Sequence, residues 1–474
     1  MTKRIPYSRL SVAAIALAAP LVTASMAQAQ MEEIVVTARQ REENLFEAPL
    51  SLTSLSGAEL QQSNIKDIND LASYTPGFYY TSQASFSASR LAPAYRFRGM
   101  NNSSPDPLQQ QGGVFLDGIF LFGGAPMLTF EDIERVEVIK GPQSALFGRS
   151  TFSGAVNFIT KRPADHFTAS ATGGVETRGT YDFSGSLEGP VIADRLSLRV
   201  TGARNVKGAH FKATDGGDIG RETTNSLNTQ AVITPTDKLE LRIRRMDSWQ
   251  DDSKSPVANM NANSPLLANA PNRCRTGADP YWCGAIPTIG TAGVPFAAVS
   301  TATSLNPPGF QNSNNPNLLK DILANNTANP LVLGKLPFYN EVSRLNHAGL
   351  TGKYARTSLE FKYDFDNGMT FTSDYVNSKL RTMTAQTSSG DDGSGWIISP
   401  NVLTDNSAAV RLSSDGKERL TWSVGGNASV LSATRVAVYR EPAACTTWAP
   451  SRHCTTASPI SWTSTSKVVT SASA

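Results

Sequence analysis

Past Pro163 the chain settles into a two-residue alternation of apolar and polar positions. Leu196, Leu198 and Val200 share one parity, and Arg195, Ser197, Arg199 and Thr201 the other. Leu239, Leu241 and Ile243 alternate in the same way with Glu240, Arg242 and Arg244, as do Leu359, Phe361, Tyr363 and Phe365 with Glu360, Lys362 and Asp364. Successive side chains of a strand point to opposite faces, so each segment predicts a strand with one apolar and one charged face. That division suits lipid on one side and water on the other, although a soluble sandwich would alternate too.

Connection lengths separate these two readings. Strands are predicted near 167–176, 180–189, 195–206, 223–234, 238–250, 343–365, 369–382, 405–414 and 417–431. The even-numbered ones end in tight turns, GPVIAD, PTDK, DFDNG and SSDGKE, whereas the connections at 207–222, 251–342 and 383–404 are long. Short turns at one end and long loops at the other is the asymmetry of an outer-membrane barrel.

Before Pro163 the pattern is mixed. Ser56 to Ile65 and Asp67 to Ser73 read as short helices with polar caps that stop at Thr75-Pro76-Gly77. Tyr95 to Arg98, Val114 to Asp117 and Arg135 to Ile139 read as strands, and Thr129 followed by Asp132 reads as a helix start. Residues 50–163 are therefore expected to form a small α+β domain. Its glycine-punctuated stretch does not fit a phosphate loop, which needs four residues between its glycines and then Lys. Here six residues separate Gly141 from Gly148, and Arg149 stands in the place of Lys.

The amino terminus carries Lys3, Arg4 and Arg9, an apolar run from Leu10 to Val22, and Ala27-Gln28-Ala29. This predicts a secretory signal over 1–29, with a mature chain from Gln30. Next come Glu33, Ile34, Val35, Val36, Thr37 and Ala38, a short β-prone run ahead of a charged linker, the two together spanning 30–49. Such a run suits an edge strand of the first domain, or a strand added to the sheet of another protein.

Composition adds exclusions. With 18% charged residues and a formal net charge of +3, no strong field points to nucleic acid as a partner. Outside the first thirty positions no run of eighteen apolar residues predicts a membrane helix, and barrel strands would leave no such trace. Four cysteines suit an oxidising compartment, and Cys274 and Cys283 bracket a short polar loop that a disulfide could close. The four histidines are scattered, and no His, Cys or carboxylate cluster has catalytic or metal-ligating spacing, so neither an enzyme nor a cofactor is expected.

RFRGM at 96–100, GVFLDGIFL at 113–121 and IERVEVIKGPQSALFGRSTFSGAVNFITKRP at 133–163 resemble the plug domain of TonB-dependent outer-membrane receptors, and EEIVVTA at 32–38 resembles their TonB box. The resemblance implies an α+β plug domain followed by an antiparallel transmembrane β-barrel. It implies energy-coupled import of a scarce solute, a ferric siderophore by default and cobalamin or an oligosaccharide otherwise, across the outer membrane of a Gram-negative bacterium. The implied partners are that solute, the membrane lipid and the TonB complex of the inner membrane, which would pair with Glu33 to Ala38.

In the implied plug, Arg98, Gly99, Asp117, Gly118, Gly141, Pro142, Gly148, Arg149 and Gly154 serve turns, close packing or contacts to the wall. Phe78, Tyr79, Tyr80, Asn101, Asn102 and Ser103 fall at its ligand-facing apex. The chain departs from the pattern over 432–474, because 20 of the 34 residues from Glu441 onward are Ala, Ser or Thr and the alternation stops. This predicts an incomplete barrel over 164–431 and a low-complexity tail, from a frame change near 431–440 or a truncated gene, in which case the polypeptide is a non-functional fragment.

Overall fold

The computed structural model describes residues 35–36, 43–44, 50–81, 90–91, 93–100, 110–148, 150–209, 211–212, 218–253, 273–276, 279–282, 349–387, 396–415, 421–440, 444–445, 454–455 and 461–473. Two bodies share one core. The first is a five-stranded sheet with three short helices, and the second is a ten-stranded antiparallel wall packed against it.

The inner domain begins after a two-residue pair of strands, β1 (Val35–Val36) and β2 (Glu43–Asn44). Strand β3 (Ser51–Ser56) leads into α1 (Gly57–Gln62) and α2 (Ile68–Tyr74). Both helices start where the sequence places polar caps, and each cap is reciprocal: Ser56 with Glu59, and Asp67 with Asp70. The hairpin of β4 (Phe78–Thr81) and β5 (Ala94–Phe97) follows, then β6 (Gly112–Leu116), β7 (Ile119–Phe120), β8 (Ile133–Lys140), α3 (Ser144–Phe147) and β9 (Gly154–Thr160). The sheet order is β3-β8-β9-β6-β7, with β6 and β9 parallel and the other neighbours antiparallel. The helix expected at Thr129 is a single 3-10 turn, Phe130–Asp132, and the Thr129 hydroxyl meets Ser226 of the wall at 2.7 Å instead of capping it.

The wall consists of β10 (Thr168–Val175), β11 (Tyr181–Ile192) and β12 (Leu196–Lys207), then, beyond a small hairpin of β13 (Phe211–Lys212) and β14 (Asp218–Ile219), β15 (Glu222–Thr236) and β16 (Leu239–Ser253). A hairpin of β17 (Arg273–Thr276) and β18 (Asp279–Trp282) lies in the longest connection, before β19 (Gly349–Asp364), β20 (Thr370–Thr387), β21 (Trp396–Ser413) and β22 (Ser423–Arg440). A last hairpin, β23 (Ala444–Cys445) with β24 (Cys454–Thr455), precedes β25 (Ser461–Ser473). Every neighbour in the wall is antiparallel, in chain order, and among the described residues the sheet is open at β10 and β25. Three details differ from the sequence reading, the first being that β21 starts at Trp396, so that the connection expected over 383–404 shortens to residues 388–395. Strand β22 runs on to Arg440, and the Ser/Thr-rich tail supplies β25, paired with β22 from Gly426↔Ser473 to Val438↔Ser461.

The alternation sorts as the pattern requires. Leu198, Val200, Leu227, Ile243, Leu359, Tyr375 and Val410 are exposed on the outer face, while Arg199, Thr201, Arg242, Arg244, Arg356 and Ser358 are buried on the inner one. Lys353 and Tyr363 lie ten residues apart in β19. At ~3.4 Å per residue and a strand tilt near 40°, that is about 26 Å of membrane depth, the height of an outer-membrane apolar band. An aromatic girdle marks the end with the short turns, where Phe361 and Phe371 stack edge to face at 6.0 Å and Tyr363 and Phe365 at 4.9 Å. The inner face is not simply watered, since the inner domain packs against it, and Leu350, Tyr354, Leu380, Leu403 and Leu431 of the wall join the domain's own core.

Candidate functional site

The seam between inner domain and wall is built around an Asp-Gly turn. Asp117 and Gly118 have φ of 51° and 80° and join β6 to β7, with Leu116 paired to Ile119. Two successive left-handed residues make the tight hairpin turn that Asp-Gly favours, and the turn projects the Asp117 carboxylate toward the wall. That carboxylate accepts from the Thr160 backbone N–H at 3.0 Å and from Arg244 Nη1 at 2.6 Å, with Arg242 Nη1 3.9 Å away. Glu360 of β19 accepts from Arg242 at 3.2 Å and from Arg244 at 3.4 Å, and the Gln230 side-chain oxygen of β15 accepts from both arginines. Arg242 also donates to the Thr160 hydroxyl. Burial alone would raise the Asp117 carboxyl pKa, but the charges of Arg244 and Arg242 outweigh it and hold the group below its ordinary value.

Three further clamps run along the seam. Asp132, at the end of the 3-10 turn, accepts from Arg199 at 3.1 Å, Thr201 at 2.5 Å and Asn228 at 2.6 Å. Arg90 grips Asp252 through two bonds of 2.7 and 2.8 Å and also donates to the Thr223 carbonyl at 3.0 Å. Lys66 meets Asp182 at 2.7 Å, and its neighbour Asp67 pairs with Lys207. Buried Arg356 donates to the Phe120 carbonyl at 3.1 Å. A narrow cavity lined by Asp132, Arg199, Asn228, Arg244, Leu116 and Met246 lies between the first two clusters.

The motif residues fall as follows. Arg98 and Gly99 form a second left-handed pair, closed by Met100 N–H donating to the Phe97 carbonyl at 3.0 Å. Gly141 and Gly148, also left-handed, flank Pro142 and α3. Gly154 is needed for close approach, because a Cβ there would lie 2.6 Å from both the Phe97 ring and the Ile139 carbonyl oxygen. Arg149 lies outside the described residues, as do Asn101, Asn102, Ser103 and Cys283. Cys274 lies opposite Tyr281 in the β17–β18 ladder.

Of the apex residues, Phe78 and Tyr80 are buried, stacked on Phe97 at 5.1 Å and Tyr95 at 5.8 Å, and belong to the core. Tyr79 points the other way and is 57% exposed, with the Arg96 guanidinium 5.7 Å from its ring centroid. Arg98 and Lys140 border the same surface, where burial and then the Arg98 charge lower the Lys140 pKa. Of the box, Val35 and Val36 are described, paired with Asn44 and Glu43, while Glu33, Ile34, Thr37 and Ala38 lie outside the described residues.

Residues 44–155 match the family described as TonB-dependent Receptor Plug Domain. The inner domain is a TonB-dependent receptor plug. Among curated relatives, the pesticin receptor of Yersinia pestis is 25% identical over 221 residues, 46% of this chain and 32% of that protein. The vitamin B12 transporter BtuB of Vibrio vulnificus is 34% identical over 160 residues, 32% of this chain and 25% of that protein. The chain thus spans about a third or less of the curated relatives it matches.

Two solved structures share the fold. The ferric yersiniabactin uptake receptor FyuA of Yersinia pestis superposes with a TM-score of 0.57 at 14% identity, covering 89% of this chain and 61% of that one. The ferric preacinetobactin receptor BauA of Acinetobacter baumannii does so with a TM-score of 0.57 at 14% identity, covering 92% and 56%. The ten-stranded wall therefore has the fold of part of such a receptor's barrel, and the family that the inner domain matches is one of outer-membrane transport receptors rather than enzymes.

Sequence reading singled out Asp117 but missed its partners in the wall and the other three clamps. Arg242, Arg244 and Glu360 were visible as the charged parity of their strands, Asp132 was read only as part of a helix start, and Arg90 and Asp252 carried no local signal. A usable one was present in β16, where Arg242 and Arg244 put two cations on one face of a strand that has lipid on the other. Such charges need partners inside.

Proposed function

We propose that the chain serves the energy-coupled uptake of a scarce solute, a ferric siderophore, across the outer membrane. The observation that carries this reading is the plug itself. It fills the polar inner face of a membrane wall and is held along the seam by ion pairs and hydrogen bonds, which can be exchanged for water when the domain is pulled. The exposed Tyr79 beside Arg96, Arg98 and Lys140 gives the plug a cationic, aromatic surface suited to an anionic chelate. Three relatives have names in keeping with iron chelates, a ferric enterobactin receptor, a ferrioxamine B receptor and an iron-regulated outer membrane protein. In this reading Glu33 to Ala38 add as a strand to the periplasmic domain of TonB. The extended Val35–Val36 supports it, because strand addition uses backbone donors and acceptors.

The test is accumulation of radiolabelled ferric hydroxamate and ferric catecholate by cells that lack their own receptors and express the chain. Ferric chelate uptake that Val36→Pro abolishes supports the proposal, since proline removes a ladder donor. Uptake of cyanocobalamin in place of ferric chelates would transfer the reading to the vitamin. No uptake of any probe by a chain that reaches the outer membrane would reject import as its activity.

A further inference from the structure

The chain's four cysteines fall in two pairs with one spacing. Cys274 and Cys283 belong to the connection between β16 and β19, Cys445 and Cys454 to the one between β22 and β25, and eight residues separate the members of each pair. Chain order and antiparallel pairing put both connections at the same end of the wall, opposite the short turns. A ladder places the second pair. In the hairpin of β23 and β24, Ala444 is the partner of Thr455 and Cys445 the partner of Cys454. In the hairpin of β17 and β18, by contrast, the partner of Cys274 is Tyr281.

Direct partners in an antiparallel ladder have Cα atoms about 4.5–5.5 Å apart, and a disulfide spans Cα separations of about 4.4–6.8 Å. The register of β23 and β24 therefore holds the two cysteine backbones at bonding range. Four cysteines allow three pairings, and this register belongs to one of them, Cys445 with Cys454 and Cys274 with Cys283. The hairpin also needs a clasp. Its strands are two residues long, too short to hold a hairpin unaided, whereas a bond that closes the ring from Cys445 to Cys454 removes chain entropy from the open state. Arg452 and His453 precede Cys454 in sequence, and cationic neighbours favour the thiolate that starts disulfide exchange.

We propose that Cys445 and Cys454 form a disulfide that closes the β23–β24 hairpin, leaving Cys274 to Cys283, so that each of the two connections carries its own local clasp. The oxidant is a dithiol oxidase of the compartment into which the chain is exported. One cysteine thiolate attacks the disulfide of the oxidase and forms a mixed disulfide with one of its sulfurs. The thiolate of the other cysteine then attacks the first cysteine's sulfur, the Cys445–Cys454 bond forms, and the oxidase leaves with both of its sulfurs as thiols. Two electrons and two protons thus pass from the chain to the oxidase. The inference rests on export to an oxidising compartment, and not on which solute is imported.

The test uses the full chain folded in neutral detergent micelles and equilibrated with equal concentrations of reduced and oxidised glutathione, then alkylated and digested with trypsin. Trypsin cuts after Arg440, Arg452 and Lys467, so the two cysteines fall on separate peptides, 441–452 and 453–467. The expected result is that these peptides travel as one species until a reductant parts them, with the linked form at least tenfold in excess of the alkylated one. In Cys445→Ser, Cys454 should become alkylated while Cys274 stays protected, and cleavage after Arg452 in the folded chain should quicken several-fold. Cys454→Ser gives the mirror readout if the first variant does not fold. Alkylated Cys445 and Cys454 in the folded wild type would overturn the proposal. So would a link from either of them to Cys274 or Cys283, or release of Cys274 by Cys445→Ser. The buffer supplies the oxidant, so this result stands apart from any failure of export or uptake in cells.

Discussion

Asp117 of the plug and Arg244 of the wall meet at 2.6 Å, and the turn that presents the carboxylate is the same one that closes the β6–β7 hairpin. One residue therefore sets a local fold and a domain contact together. Asp117→Asn separates the two roles, because Asn also adopts the left-handed conformation required before Gly118. The substitution leaves Glu360 as the one carboxylate that accepts from both Arg242 and Arg244 among the described residues. Breaking a buried pair from one side costs about 3–5 kcal/mol. Urea unfolding of the chain in micelles should show the plug released earlier, with the strand signal of the wall retained.

The same carboxylate gives a pH dependence with a definite sign. Its folded pKa lies below the ordinary 3.8, so the stability it supplies is complete above that value and is lost as pH falls through the lower, folded one. Asp67, lowered despite its burial by Lys207 and by its own helix cap, acts in the same direction. Limited proteolysis between pH 6 and pH 2 should find the plug protected down to about pH 4 and released below. The gap between wild type and Asp117→Asn should narrow over that acid range.

Gly154 tests close packing instead of charge. Its missing Cβ leaves room for Phe97, whose ring also lies against Gly112, the residue paired with Gly154 in the parallel ladder. Gly154→Ala should destabilise the plug by about 1–3 kcal/mol, the usual range for overpacking. Phe97→Leu in the same chain should restore only part of it, since the Ile139 carbonyl stays 2.6 Å from the new methyl. Full restoration by that second change would contradict the assigned contact.

Much of this architecture could be read from local pattern. Leu239 to Arg244 announced a two-faced strand because the side-chain period of a strand is two, and Ser56 with Glu59 announced a helix start because the cap is made within four residues. The clamps could not be read so, because Asp117 and Arg244, or Arg90 and Asp252, lie more than a hundred positions apart and no local rule pairs them. The apex reading of Phe78, Tyr79 and Tyr80 grouped three aromatic neighbours. In a strand they must split between faces, and only Tyr79 reaches the surface while its neighbours stack on Phe97 and Tyr95.

Arg90 offers a test of the clamp at the Ser253 end of β16. Its guanidinium holds Asp252 with two parallel bonds, and Asp252 in turn accepts from the Thr223 backbone N–H at 3.0 Å. Lysine keeps the charge but not the fork, so Arg90→Lys should keep the fold and loosen the clamp. Losing one charge-assisted bond costs about 1.5–3 kcal/mol. Hydrogen exchange should then quicken at least tenfold in the β4–β5 hairpin and stay unchanged at Asp117, which sits in a separate cluster.

The outer face carries the last expectation, because burial in lipid depends on depth. Ile243 and Leu359 are direct partners in the apolar row, exposed on the outer face and flanked by further apolar rows toward the short turns. Trp249 lies six residues from Ile243 on the same strand and face, about 20 Å further along it and beside Lys353. A cation near the middle of the bilayer costs about 2–4 kcal/mol, and near the interface about 0–1. Ile243→Arg should therefore cut insertion into phosphatidylcholine vesicles sharply, whereas Trp249→Arg should leave it nearly unchanged. Equal effects at the two sites would mean that the outer face does not meet lipid along its length. The opposite parity supplies the control, for Arg244 on the inner face already carries a cation at the depth of Ile243 and is stable there because Asp117 and Glu360 receive it.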